Sequence, residues 1–212
     1  MKLYGYFRSS AAYRVRIALG LKALPYEYAA VHLRNNEQFG DAYRALNPAQ
    51  LVPALVDERG TFTQSLAIIE YLEERHPQPP LLPATPEERA RVRAIALGIA
   101  CDIHPLDNLR VLRYLVRTIG TSEQVKDAWY RHWIDTGLAA LEAQLARERA
   151  TGEFCHGDAP TLADCCLVPQ LANARRAGIP LDAYPTLRRI EARCNAMTAF
   201  AAAAPEMQPD AE

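Results

Sequence analysis

The sequence predicts a small α/β domain joined to an all-helical domain. Three observations predict it. Residues 1–76 alternate strand-type and helix-type patterns. Residues 76–88, "HPQPPLLPATPEE", carry five prolines in thirteen residues, and proline removes a backbone donor and disfavours helix. Beyond Glu87 only helical periodicity is found. A chain of 212 residues is long enough for two such domains.

Each element has its own signal. Lys2 to Phe7 is a short apolar strand. Val15, Ile17, Ala18, Leu19 and Leu21 form the buried side of a helix that follows at once. Tyr26 to Leu33 is a second strand, so the first three elements make a βαβ unit with parallel strands and a right-handed crossover. Asn36 to Leu46 is a weak helix. Pro53 to Asp57 and Thr61 to Thr63 form a hairpin across Arg59-Gly60, and Ser65 opens a helix with Ile68, Ile69 and Leu72 on one face. The proline-rich segment is a stiff, extended linker. Pro86-Glu87-Glu88 is a strong helix start, with proline in the first turn and acids at the positive end of the dipole. The helical part reads as Glu87 to about Thr118, bent near Pro105, then Ser122 to about Arg149, Thr161 to Ala177, and Pro185 to about Met197. The tail "AAAAPEMQPDAE" is expected to fray. Thr161 and Asp164 form a capping box.

Bulk properties exclude several classes. The formal net charge is −1, with neither the basic surplus that favours nucleic acid nor a polybasic run for a membrane surface. No stretch approaches the ~20 apolar residues of a membrane span, and no secretory signal is read at the start. The five cysteines, Cys101, Cys155, Cys165, Cys166 and Cys194, form no CxxC and no regular framework, so reduced thiols and a cytoplasmic setting are expected. Cys165 and Cys166 are expected to be buried as small hydrophobes. The five histidines show no HxxxH or HExxH spacing, so no metal is expected.

Three motifs in the first domain carry chemistry. Arg8-Ser9-Ser10 lies at the carboxyl end of the first strand and the amino end of the first helix, where ligands and anions bind in α/β sheets. Either serine can also serve only as an N-cap. Val52-Pro53 starts a strand, and a cis bond there would turn the Val52 backbone outward to pair with an extended peptide. Gln64-Ser65 opens a helix at a strand end and suits a carboxylate, although capping explains it too.

The order of these three motifs, the linker and the Thr161/Asp164 box resemble the cytosolic glutathione transferases along essentially the whole chain. "YFRSSAAYRVRIAL" and "DIHPLDNLRVL" (residues 102–112) resemble the zeta class, which includes the maleylacetoacetate and maleylpyruvate isomerases. Ala11 stands where that class usually has a cysteine, which rules out a cysteine acting there. The resemblance implies a thioredoxin-like glutathione-binding domain over 1–78, a linker over 79–85, and an all-helical substrate and dimer domain over 86–212. It implies glutathione as cofactor and a homodimer. Ser9 and Ser10 would face the thiol, with Ser9 the preferred donor. Val52, followed by Pro53, would pair with the cysteinyl backbone; Gln64 and Ser65 would hold the γ-glutamyl carboxylate; Gln38 would lie near the glycyl end. Asp102 from a partner subunit would approach the γ-glutamyl amine, and His104, Asn108 and Arg110 would line the site. Arg8, Arg110 and Arg176 would clamp a small dicarboxylate or enone substrate, because arginine donates paired bonds to carboxylates.

The implied activity is cis–trans isomerisation of a maleyl substrate to its fumaryl isomer in aromatic catabolism. Conjugation or dehalogenation of small α-halo acids would use the same thiolate and arginines. A non-catalytic binding protein on the same fold would be expected to lose Ser9, Ser10 or the clamp arginines, and this chain keeps them.

Overall fold

In the computed structural model, which describes residues 1–212, β1 (Lys2–Gly5) runs into α1 (Ser10–Leu21) and returns through β2 (Glu27–Ala30). Two 3-10 turns, Leu33–Asn35 and Glu37–Phe39, and the short α2 (Asp41–Leu46) lead to β3 (Ala54–Asp57), β4 (Gly60–Thr63) and α3 (Ser65–Arg75). The sheet order is β2-β1-β3-β4, with β1 parallel to β2 and antiparallel to β3. β3 and β4 form the expected hairpin, Asp57 opposite Gly60. The strands are shorter than the apolar runs that announced them. Tyr6 and Phe7 leave the ladder to join a core cluster with Val31, Tyr43 and Val52.

The chain divides into two compact units, Met1–Leu81 with Asn195–Glu212, and Leu82–Cys194. The tail does not fray. It forms α9 (Thr198–Ala203) and a 3-10 turn, Pro205–Met207, and folds into the first unit. The packing reason lies at Gly20, where an added Cβ would come within 3.3 Å of Ala199. Lacking that carbon, α1 lets α9 approach to backbone distance. α1 is therefore covered on several sides, and Arg14 and Arg16 are buried along with the apolar stripe. Lys22, at the end of α1, pairs with Glu73 at 2.7 Å and donates to the carbonyls of His76 and Pro79, which fixes the start of the proline segment.

The second unit is helical. α4 (Pro86–Leu97) has Thr85 as N-cap, and its first turn carries Glu87 and Glu88. The single bent helix expected to about Thr118 is instead three pieces. α4 passes into a π-helical turn, Gly98–Ile103, and a separate α5 (Leu109–Arg117) begins after the cap Asn108. Pro105 has no N–H to continue the ladder, and Asn108 offers its side chain to the Arg110 N–H instead. The π turn presses Ile103 onto α6 (Glu123–Arg147), where an added Cβ on Gly137 would lie 2.3 Å from the Ile103 side chain. α7 (Leu162–Arg176) and α8 (Pro185–Asn195) complete the unit. The capping box is present: the buried Asp164 carboxylate accepts from the Thr161 N–H and the Cys155 N–H, both at 2.8 Å. Cys155, Cys165, Cys166 and Cys194 are buried, and none of the five cysteines is bridged. No helix is long and apolar enough to cross a membrane.

One carboxylate in this unit is not satisfied. Asp107 is 8% exposed, and neither of its oxygens has a hydrogen-bond partner. Burial pushes its carboxyl up to about 7 from an ordinary 3.8. The fold therefore holds the proton more tightly than the unfolded chain does. The stabilisation this represents is complete below the unfolded value and is lost as the pH rises through about 7. The melting temperature of the parent should accordingly fall between about pH 5 and 8 by more than that of Asp107→Asn, whose amide does not titrate. Parallel melting curves across that range would contradict the assignment.

Candidate functional site

The first unit builds one cluster of polar groups at the amino end of α1. Gly5 is the last residue of β1, and its carbonyl accepts from Val31 N–H at 2.7 Å. The Ser9 N–H then closes a turn on the Tyr6 carbonyl at 2.9 Å. Ser9 is the N-cap of α1, and its Oγ accepts from the Ala12 N–H at 3.2 Å. Capping uses a lone pair only, so the Ser9 O–H proton remains able to donate to another group. The two readings of this serine are thus compatible. Ser10, the first residue of the helix, is buried, and Arg8 is exposed. No acid stands in the first turn of α1, so the positive end of the helix is not neutralised from within. Burial raises the pKa of the neighbouring Tyr6, and Glu212 raises it further, while Arg8 and Arg34 oppose the shift.

The Val52–Pro53 peptide is cis, and both residues are buried. β3 begins only at Ala54, and no backbone bond within the chain engages the N–H or C=O of Val52. Such a pair of groups matches the edge of an added extended peptide. Gln64 holds φ +68° and ψ +116°, a conformation rare for a residue with a side chain, and its exposed side chain makes no capping bond to α3. Ser65 beside it is buried and accepts from Arg14 Nη1 at 3.3 Å. Gln38 is buried in the second 3-10 turn, and its Oε1 has no partner. These features fit a ligand that is both peptide-like and carboxylate-bearing.

In the helical unit, Asp102 lies exposed in the π turn and His104 follows it, half-buried. Asn108 caps α5, which leaves the exposed Arg110 in the first turn of that helix. Arg176 ends α7. Its guanidinium donates to Asn173 Oδ1 at 2.7 Å and to the Tyr130 hydroxyl at 3.3 Å, so it is an oriented cation.

Sequence reading missed two side chains that hold these groups. Arg14 and Arg16 lie in "YRVRIAL" as charged positions between apolar ones, which reads as the solvated face of a helix. Both are buried: Arg14 fixes the Ser65 hydroxyl, and Arg16 Nη2 donates to the Phe7 carbonyl at 3.1 Å, one residue before Arg8. The signal available was the unbroken apolar surround of the two arginines.

Residues 3–80 match the family described as glutathione S-transferase, N-terminal domain, and residues 123–193 match glutathione S-transferase, C-terminal domain. The chain is 53% identical to a probable maleylacetoacetate isomerase of Vibrio cholerae, over 99% of this chain and 97% of that protein. A holo structure of a bacterial maleyl pyruvate isomerase, a glutathione transferase of the zeta class, superposes with a TM-score of 0.98 at 51% identity, covering all of both chains. The maleylacetoacetate isomerase of Methylobacterium extorquens AM1, solved with bound malonate and glutathione, superposes with a TM-score of 0.97 at 44% identity, again over all of both chains. The chain belongs to the glutathione S-transferase family, and within it to the zeta class.

Proposed function

We propose that this chain is a glutathione-dependent isomerase that converts a maleyl substrate, maleylacetoacetate or maleylpyruvate, to its fumaryl isomer in aromatic catabolism. The observation that carries this reading is identity at about half of all positions, along the whole chain, with proteins named for these two isomerisations. Bound glutathione supplies a nucleophilic sulfur that adds reversibly to the cis double bond and so permits rotation.

The chain's own residues do the rest. The Ser9 hydroxyl donates to the sulfur, Ser10 stands beside it, and the open positive end of α1 favours the charged thiolate. The free N–H and C=O of Val52, presented before Pro53, pair with the cysteinyl backbone. Gln64, Ser65 and the amino end of α3 hold the γ-glutamyl carboxylate. Gln38 offers its unpaired Oε1 near the glycyl end, and Asp102 approaches the γ-glutamyl amine of a partner subunit. His104 and Asn108 line the site. Arg8, Arg110 and Arg176 hold the substrate's anionic groups, each by a fork that is worth about 3 kcal/mol when preorganised. Five unbridged cysteines suit a cytoplasmic setting.

Three measurements test these roles. Ser9→Ala should raise the pKa of the bound glutathione thiol more than Ser10→Ala does, read by thiolate absorbance. Unshifted values in both would leave activation to the helix alone. Arg176→Ala should leave glutathione affinity by calorimetry intact and lower kcat/KM for the maleyl substrate roughly tenfold to a hundredfold, the loss of one charge-assisted bond. Arg176→Lys should recover part of it, having a point charge in place of a fork. Isomerisation at the parent rate by Arg176→Ala would make this residue a surface charge. The chain should also sediment as a homodimer at micromolar concentration, the first domain of one copy against the helical domain of the other. A fully active monomer would remove the role given to Asp102.

A further inference from the structure

Phe7 stands between the sheet and the loop Arg8-Ser9-Ser10, and neither its N–H nor its C=O, which belong to the peptide units before and after it, is satisfied by the sheet. The Phe7 N–H donates to Asp210 Oδ2 at 3.0 Å, across 203 positions of sequence. The Phe7 carbonyl accepts from Arg16, which is 1% exposed and is itself anchored by its Nε to the Ala203 carbonyl at 2.9 Å. The same Asp210 oxygen accepts from the Tyr28 hydroxyl at 3.2 Å. Asp210 Oδ1 and Arg16 Nη1 are both buried without a partner, an acceptor and a donor left over within one cluster. Arg16 feels Asp210 as a favourable charge against the cost of its burial. Two residues further on, Glu212 meets His32 at 2.6 Å and Arg34 at 3.1 Å, which ties down the far side of the same segment.

We infer that Asp210 is a positioning residue of the reaction: with Arg16 it clamps the two peptide units that flank Phe7 and thereby aims Arg8 and Ser9. The Tyr6–Phe7 unit held by Asp210 also carries the carbonyl that accepts from the Ser9 N–H, and the Phe7–Arg8 unit held by Arg16 leads into Arg8, so units free to rotate would swing the one side chain and release the turn that carries the other. A simple strap would need no contact at these units. The tail already caps itself, Gln208 donating to the carbonyls of Ala202 and Ala204. The kinetic part of the inference rests on the isomerase reading above; the placement of the loop does not.

The experiment compares Asp210→Ala, Asp210→Asn and Gln208→Ala in the full chain. In the ligand-free protein, the Ser9 amide, bonded to the Tyr6 carbonyl, should exchange with solvent about tenfold faster in Asp210→Ala than in the parent. In the same variant kcat/KM for the maleyl substrate should fall about tenfold or more, with glutathione affinity by calorimetry within about twofold. Asp210→Asn keeps an oxygen for the Phe7 N–H and should restore most of both. Gln208→Ala should lower the melting temperature while leaving Ser9 exchange and turnover at parent values. Parent exchange and parent turnover in Asp210→Ala, with a lower melting temperature, would make Asp210 a fastening of the tail only and overturn the inference. Should the parent isomerise neither maleyl substrate, the functional reading fails, and Ser9 exchange alone then upholds or overturns the placement. If Asp210→Ala does not fold, Tyr28→Phe takes its place. About threefold faster Ser9 exchange supports the clamp, and an unchanged rate overturns it.

Discussion

A guanidinium group in the interior of a domain has to be given acceptors, because an unpaired buried charge costs several kcal/mol and breaking its partners costs about 3–5 kcal/mol. The first unit is arranged around two such groups on α1. Arg16 takes the carbonyls of Phe7 and Ala203, and Arg14 takes the hydroxyl of Ser65. These bonds bring together the end of β1, the start of α3 and the returning tail, three segments that are far apart in sequence. Lys22, the C-cap of the same helix, does the same for Glu73 and the proline segment. Hydrophobic burial could hold α1 against the sheet in several rotations. Directed donors select one of them.

The termini of the helices divide in a way that follows their use. α4, α6 and α7 each carry an acid in the first turn, Glu87 with Glu88, Glu123 and Asp164. α1 and α3 carry none. A vacant positive end is not a site by itself, and α5 and α8 also lack a first-turn acid. At α1 and α3, however, the helix is the next element after a strand, and the connection holds a hydroxyl or an amide. That combination favours an anionic ligand over solvent at both ends of the proposed glutathione site.

Much of this was legible in the sequence, and the gaps have physical causes. The βαβ order, the hairpin across Arg59-Gly60 and the Thr161–Asp164 box depend on local pattern, and each is where the pattern put it. The break after Leu97 was hidden because a π turn keeps helical periodicity while changing the bond ladder. The tail was misread because alanine-rich ends fray unless something docks them. What docks α9 is the buried Phe200 together with a bare backbone at Gly20, and one aromatic in an alanine-rich run is a weak signal. At the candidate site Ser9, Val52 and Gln64 were proposed from motif order. Arg14, Arg16 and Asp210 were not, because their partners lie 9 to 203 positions away and no local rule connects them.

Departures from well-satisfied structure collect in the same segments. Gln64 sits at a positive φ, Gln38 keeps a buried oxygen unpaired, and Val52 leaves two backbone groups unengaged. In the helical unit the π turn and the unsatisfied Asp107 immediately precede Asn108 and Arg110. Each departure costs free energy in the isolated chain, about 1–3 kcal/mol for a strained residue or an orphaned polar group. Orphaned polar atoms also occur away from these segments, on Gln170 and Trp133, so an unsatisfied group does not mark a site by itself. A fold can retain such costs where a ligand or a reacting group offsets them. Gln38, Val52 and Gln64, assigned here to glutathione, are therefore marked twice, once by family resemblance and once by the local energetic cost of leaving them available.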